Sequence, residues 1–127
     1  MDFDFLCEAN LPPIATVKDG KLTVGQMTYD TVLVPACETI RRTTLDLLRD
    51  FSAQGGRVLF VGEPPRYVDG LPSDEPTTLC AAERVECTAD AVRAALQDKR
   101  YAQVTESDGT LCDAYIGQYR RNGDEDW

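Results

Sequence analysis

The sequence predicts an α/β fold, a three-layer sandwich with a mainly parallel sheet and an inserted β-hairpin. The main observation is a pair of apolar runs, Thr31-Val32-Leu33-Val34-Pro35 and Arg57-Val58-Leu59-Phe60-Val61-Gly62, joined by a helical segment that ends in Gly55-Gly56. Both runs are almost continuously apolar, as are strands covered on both faces of a parallel sheet, whereas a half-wet antiparallel strand alternates. The second observation is Asp19-Gly20, set between Ala15-Thr16-Val17-Lys18 and Lys21-Leu22-Thr23-Val24. Glycine accepts positive φ and aspartate tolerates it, so these two residues close a hairpin.

The elements follow in order. Asp2-Phe3-Asp4-Phe5-Leu6 alternates and reads as a short first strand, and the hairpin comes next. Residues 29–35 form the first core strand, ended by Pro35, which cannot donate to a ladder. Ile40, Leu47, Leu48 and Phe51, with Thr44 between them, share one helical face, while Arg41, Arg42, Asp46, Arg49 and Asp50 lie elsewhere. Thr43 with Asp46 resembles a capping box, and Thr39 is an alternative start. Gly55-Gly56 stops the helix and permits a left-handed turn into the second core strand. Residues 63–73, rich in proline, form a long loop of the kind that carries function or meets a partner. Glu83-Arg84-Val85-Glu86-Cys87 is a strand. Thr88 caps a helix over residues 89–99 with Val92, Ala95 and Leu96 facing the core. Residues 101–104 extend again, and Asp108-Gly109 turns the chain into a strand over residues 111–120 that leads outward.

Composition bounds the function. Hydrophobic residues make up 43% and charged residues 28% of 127, the balance of one ordinary globular domain rather than a disordered chain. A formal charge of −9 repels phosphate backbones and anionic membrane surfaces, so neither nucleic acid nor membrane is expected as a partner. No apolar stretch approaches the roughly 20 residues that span a bilayer, and the start lacks the basic residues of a signal peptide, which together imply a cytoplasmic protein. The five cysteines, Cys7, Cys37, Cys80, Cys87 and Cys112, are odd in number and lack Cys-x-x-Cys spacing, so neither a disulfide framework nor a zinc knuckle is implied. Histidine is absent, which excludes Ser-His-Asp and Cys-His arrangements, histidine metal sites and the usual base near neutral pH.

The order of motifs resembles a known module. Phe3-Asp4-Phe5, the hairpin with Asp19-Gly20-Lys21-Leu22-Thr23-Val24-Gly25, Tyr29-Asp30-Thr31-Val32-Leu33-Val34-Pro35, Thr44-Leu45 and Leu48 before Phe51, then Gly55-Gly56-Arg57-Val58 and Gly62 with Pro64-Pro65 succeed one another along residues 3–65. This succession is similar to the flavodoxin-like, amidotransferase-like accessory domain found beside the catalytic barrel of large bacterial glycoside hydrolases. Examples are the trimerisation domain of some β-galactosidases and the corresponding module of α-L-rhamnosidase-like enzymes. The resemblance implies a flavodoxin-like three-layer sandwich over residues 1–118, with residues 119–127 starting an exit strand towards a β-sandwich. It further implies a non-catalytic role in the assembly or active-site architecture of a carbohydrate-degrading enzyme, with other domains of that enzyme, and further copies of itself, as partners. The catalytic carboxylates of such enzymes lie in the barrel, so no catalytic residue carries over.

Other readings of the residues compete. A glutaminase-like site needs a reactive cysteine after a core strand; Cys37 has that position but neither a base nor the small-residue elbow, and reads as an inert thiol. Flavin or dinucleotide binding needs a phosphate-cradling loop, where this chain has Cys7-Glu8-Ala9-Asn10-Leu11-Pro12-Pro13; Glu8 would repel a phosphate, and no cofactor is expected. Glu38 and Glu63 each follow a core strand, at the edge where open α/β sheets bind ligands, and such a pair could hydrolyse glycosides in a small hydrolase. Alternatively, Glu38 charges the positive end of the following helix and Glu63 is a solvated loop residue. Arg66 and Tyr67 are placed to contact a sugar or a neighbouring domain, and a free-standing binding domain is the remaining class. For an accessory module, Tyr67, Val68, Leu71, Tyr119 and Trp127 are expected to be exposed, with Val32, Val34, Val58 and Phe60 buried.

Overall fold

Strands β4 (Thr31–Pro35) and β6 (Arg57–Val61) pair in parallel over their whole length, with Val32 opposite Val58 and Val34 opposite Phe60. Helix α1 (Arg42–Ala53) makes the crossover between them. The structure is a computed structural model and describes residues 3–81, 83–100, 104–112, 121–122 and 125–126. The chain divides into two compact units, Asp2–Gln97 and Asp98–Trp127.

In the larger unit, β9 (Arg84–Val85) joins β6 in parallel to give the order β4-β6-β9. Two further sheets stand apart from it. Strands β1 (Ala15–Lys18), β2 (Lys21–Val24) and β3 (Met27–Tyr29) form an antiparallel meander. Strand β5 (Thr39–Ile40) pairs parallel with β7 (Tyr67–Val68), which turns back antiparallel into β8 (Leu71–Pro72). Helices α2 (Glu75–Cys80) and α3 (Ala89–Ala95) precede and follow β9. In the smaller unit, β10 (Arg121–Asn122) pairs antiparallel with β11 (Glu125–Asp126), and Thr105 bridges Leu111. Among the described residues no helix is long and apolar enough to cross a membrane.

Burial follows from β6 lying between two neighbours with both faces covered. Val58 and Phe60 face a core built with Leu45, Leu48 and Phe51 of α1 and Leu22 and Val24 of the meander. Leu59 and Val61 face the opposite way, onto Leu96, with Val85, Val92 and Ala95 packed around them. Thr88 caps α3, its hydroxyl accepting the Ala91 N–H at 3.2 Å. Among the described residues β4 has one strand neighbour, and Leu33 is 39% exposed while Val34 is buried and Val32 half-buried.

The end of α1 sets the spacing. Gly55 adopts φ +92°, and the Gly55 and Gly56 N–H groups bond to the Ser52 and Phe51 carbonyls at 3.0 and 2.9 Å, a Schellman stop that satisfies two orphan carbonyls. A Cβ on Gly56 would run into the Phe51 ring, so only glycine lets the chain pass this close and enter β6.

A flavodoxin-like three-layer sandwich is not what this arrangement forms. That architecture winds about five parallel strands into one sheet, whereas among the described residues of this unit one parallel sheet of three strands lies beside an antiparallel and a mixed sheet. The reason is local. Residues 3–7 carry no strand, a 3-10 turn at Glu8–Asn10 diverts the chain, and Phe3 and Phe5 stand 68% and 94% exposed, so no apolar run is there to occupy a sheet position. The expected strand over residues 29–35 is broken at Asp30 into β3 and β4, and the loop over residues 63–73 contains the β7–β8 hairpin, whose tip, Asp69-Gly70, has positive φ at both residues. Val68 is buried at 4%, contrary to the expected exposure, because pairing with Ile40 draws it into the core; Leu71 is 71% exposed. The expected extension at residues 101–103, the strand residues 113–120, the domain boundary at 118/119, and Tyr119 and Trp127 lie outside the described residues.

Truncating Phe51 removes a fully buried ring against which Gly56 closes, so Phe51→Ala is expected to cost about 3–5 kcal/mol in chemical denaturation. Thr44 is 8% exposed and its hydroxyl has no hydrogen-bond partner among the described residues. Thr44→Val is therefore expected to leave stability unchanged or raise it by up to about 1 kcal/mol in the same measurement.

Candidate functional site

The carboxyl ends of β4 and β6 open onto a shallow depression of about 350 Å³ lined by Ala36, Cys37, Glu38, Glu63, Pro64 and Arg66. This is the edge where open α/β sheets bind ligands. Three of the residues expected there from sequence, Glu38, Glu63 and Arg66, are thus brought to one place. The backbone shapes it, because the Glu38 carbonyl accepts the Arg66 N–H at 3.1 Å and the Tyr67 N–H at 3.2 Å. Tyr67 itself is half-buried in β7 and does not line the depression.

Both carboxylates are exposed to water. Glu63 is paired with Arg84, Oε1 to Nη1 at 3.0 Å, a partner that the sequence pattern gave no reason to place there. Cys37 is exposed as a residue, but its sulfur is partly withdrawn from water. That desolvation, with the Glu8 charge added, pushes the thiol above its ordinary value and away from the thiolate a nucleophile needs. A second open hollow, of about 500 Å³, shares Pro64 and reaches Thr77, Cys80, Glu83 and Arg84. Burial raises the Cys80 thiol, Arg84 opposing and Glu63 adding to the shift. Among the described residues no group of three or more Cys, Asp or Glu is placed to hold a metal ion.

The N-terminus of α1 lies at this same edge, and a helix N-terminus is where a phosphate would be held. The expected caps, Thr39 and Thr43 with Asp46, do not act: Arg41 occupies the cap position and its side chain makes no cap bond. Carboxylates from distant segments replace them. Glu8 accepts the Arg41 N–H at 2.9 Å and Asp69 accepts the Arg42 N–H at 3.1 Å. The chain thus fills the helix end with its own anions. The Glu8 bond reproduces one half of a capping box from outside the helix, which is why no local pattern announces it. Asp69 has a weak local signal, the Asp-Gly pair that tips the β7–β8 hairpin.

Beside this helix end, Glu75 on α2 takes a two-pronged bond from Arg42, with both distances 2.8 Å, and meets Arg49 at 2.6 Å. The two guanidinium groups hold the Glu75 carboxyl down at about 2, and Glu75 in turn raises Arg42. No family model, curated protein or solved structure matches this chain.

Replacing either distant cap by its amide, Glu8→Gln or Asp69→Asn, should lower stability by about 1 kcal/mol in chemical denaturation. The unfolded chain protonates Glu75 near the ordinary 4.5, before the folded chain does at about 2. Its contribution is therefore complete above about 4.5 and fades as pH falls towards about 2. Denaturation midpoints of wild type and Glu75→Gln should differ at neutral pH and converge across that acidic window.

Proposed function

We propose that this chain is a non-catalytic module of a glycoside hydrolase, one that supports the assembly or active-site architecture of a carbohydrate-degrading enzyme. The motif order over residues 3–65 supports the choice of enzyme class. The observation that carries the non-catalytic part is the state of the depression at the strand ends. It is shallow, its two carboxylates are solvated, and Glu63 is occupied by Arg84, whereas glycoside hydrolysis needs two carboxyl groups aimed across one bound sugar with the acid in a water-poor setting. The absence of histidine supports the same side. The exposed Phe3, Phe5 and Leu71 are apolar surfaces of the kind that meet other domains or further copies of the chain.

A second reading, a free-standing α/β binding domain, is favoured by one observation. Val68, in the loop offered for domain contacts, packs into this unit's own core.

Assay of the purified chain against a panel of aryl glycosides is expected to show no turnover; hydrolysis abolished by Glu63→Gln would establish the small-hydrolase alternative instead. Glycan-array binding separates the other two readings. The module reading expects no glycan retained by the isolated chain, while retention lost on Arg66→Ala would favour the binding domain.

A further inference from the structure

The described residues contain three Asp-Gly dipeptides, Asp19-Gly20, Asp69-Gly70 and Asp108-Gly109, and the structure treats them differently. At such a pair the glycine nitrogen is unhindered, because the residue that carries it has no Cβ. It can attack the aspartate side-chain carbonyl carbon, forming a C–N bond and expelling one carboxyl oxygen as water, to give a five-membered succinimide. Water then opens the ring. Attack at the side-chain carbonyl restores aspartate; attack at the main-chain carbonyl leaves the chain running through the side-chain carbon, as isoaspartate. No oxidant or reductant is needed.

The reaction requires a free amide and a free carboxyl. At Asp69-Gly70 both are taken: Asp69 accepts the Arg42 N–H at 3.1 Å, and Gly70 donates to the Thr39 hydroxyl at 3.3 Å. At Asp108-Gly109 both are also taken, since Asp108 accepts from the Thr110 N–H at 2.9 Å and hydroxyl at 2.7 Å, and Gly109 donates to the Glu106 carbonyl at 2.9 Å. The Thr110 bonds also hold the Asp108 carboxyl below its ordinary value, in the anionic form that cannot expel water. Asp19 differs. Its side chain is exposed and accepts no hydrogen bond, and the Gly20 N–H donates none, among the described residues. Its backbone φ of +51°, unfavourable to an L-residue with a side chain, is shared by Asp69 at +50°, so the free carboxyl and free amide are what set Asp19-Gly20 apart.

We propose that Asp19-Gly20 is the site at which the folded chain forms isoaspartate. The product adds a backbone carbon at the tip of the β1–β2 hairpin. There is no slack for it there: a Cβ on Gly20 would already sit 2.7 Å from the Gln54 carbonyl oxygen, at the stop of α1. Isomerisation therefore prises the hairpin tip from the helix end.

The test is to age the full chain in mildly acidic buffer at physiological temperature, quantify isoaspartate by enzymatic methylation, and map it by electron-transfer fragmentation. The expected result is accumulation at residue 19 several-fold above residues 69 and 108, with the three converging when the chain is aged in denaturant. Asp19→Glu, whose longer side chain closes a ring far more slowly, should lose the signal. Deamidation at Asn122-Gly123 raises the peptide mass, whereas isomerisation leaves it unchanged, so the two are separable. Equal or greater accumulation at residue 69 or 108 in the folded chain, no isoaspartate at residue 19, or an undiminished signal in Asp19→Glu would overturn the proposal. The mapping on the unaltered chain decides it even if that variant fails to fold.

Discussion

The contact between the Phe51 ring and the backbone of Gly56 governs how the larger unit is built. A helix must return the chain to the start of the next strand within a few residues if two strands are to lie side by side in parallel. Here the return takes place over the face of an aromatic ring that is fully buried. The missing side chain at Gly56 brings the backbone down onto that ring, and the left-handed Gly55 supplies the change of direction. Once β6 is seated in this way, its alternate residues have fixed destinations. Val58 and Phe60 go to the side of α1, and Leu59 and Val61 go to the side of α3. The meander is held by the same region, because its Gly20 approaches the carbonyl of Gln54 where the helix stops.

How far the fold could be read from the chain depended on the range of the forces involved. The β4–α1–β6 unit was legible because continuous apolar runs and a Gly-Gly stop are local signals of burial and of positive φ. The β1–β2 hairpin was legible for a similar reason, and Thr88 as a cap needed only its own turn. Sheet membership was not legible. Phe3-Asp4-Phe5 has strand-like alternation, yet a strand also needs neighbours to cover it, and both rings remain in solvent, packed edge to face on each other at 5.4 Å. The pairing of Ile40 with Val68 joins two-residue segments far apart in the chain, too short to carry a periodic pattern. The candidate site was legible in part. Glu38 and Glu63 could be placed from the ends of their strands, but Arg84, which neutralises Glu63, comes from another strand by tertiary placement alone.

The edge of the sheet that binds anions in many α/β proteins is here closed by the protein's own charges. Glu8 and Asp69 supply to α1 what a bound phosphate supplies elsewhere: negative charge and acceptors for the first N–H groups. Two of the leading N–H groups of this helix are thereby satisfied from within the chain. It also means that the N-terminal turn and the β7–β8 hairpin are tied to the first turn of α1 by polar bonds.

Arg57 shows how small elements become dependent on one another. Its guanidinium forms a two-pronged bond with Glu83, at 2.9 and 2.5 Å, just before β9, and reaches the Ala95 carbonyl at 2.7 Å, at the end of α3. A two-residue strand and a seven-residue helix would each be expected to fray alone. With one cation bonded to both, opening either one breaks a bond of the guanidinium that also anchors the other, so amide protons of β9 and α3 would exchange with solvent together, as one cooperative unit whose opening is governed from the first residue of β6.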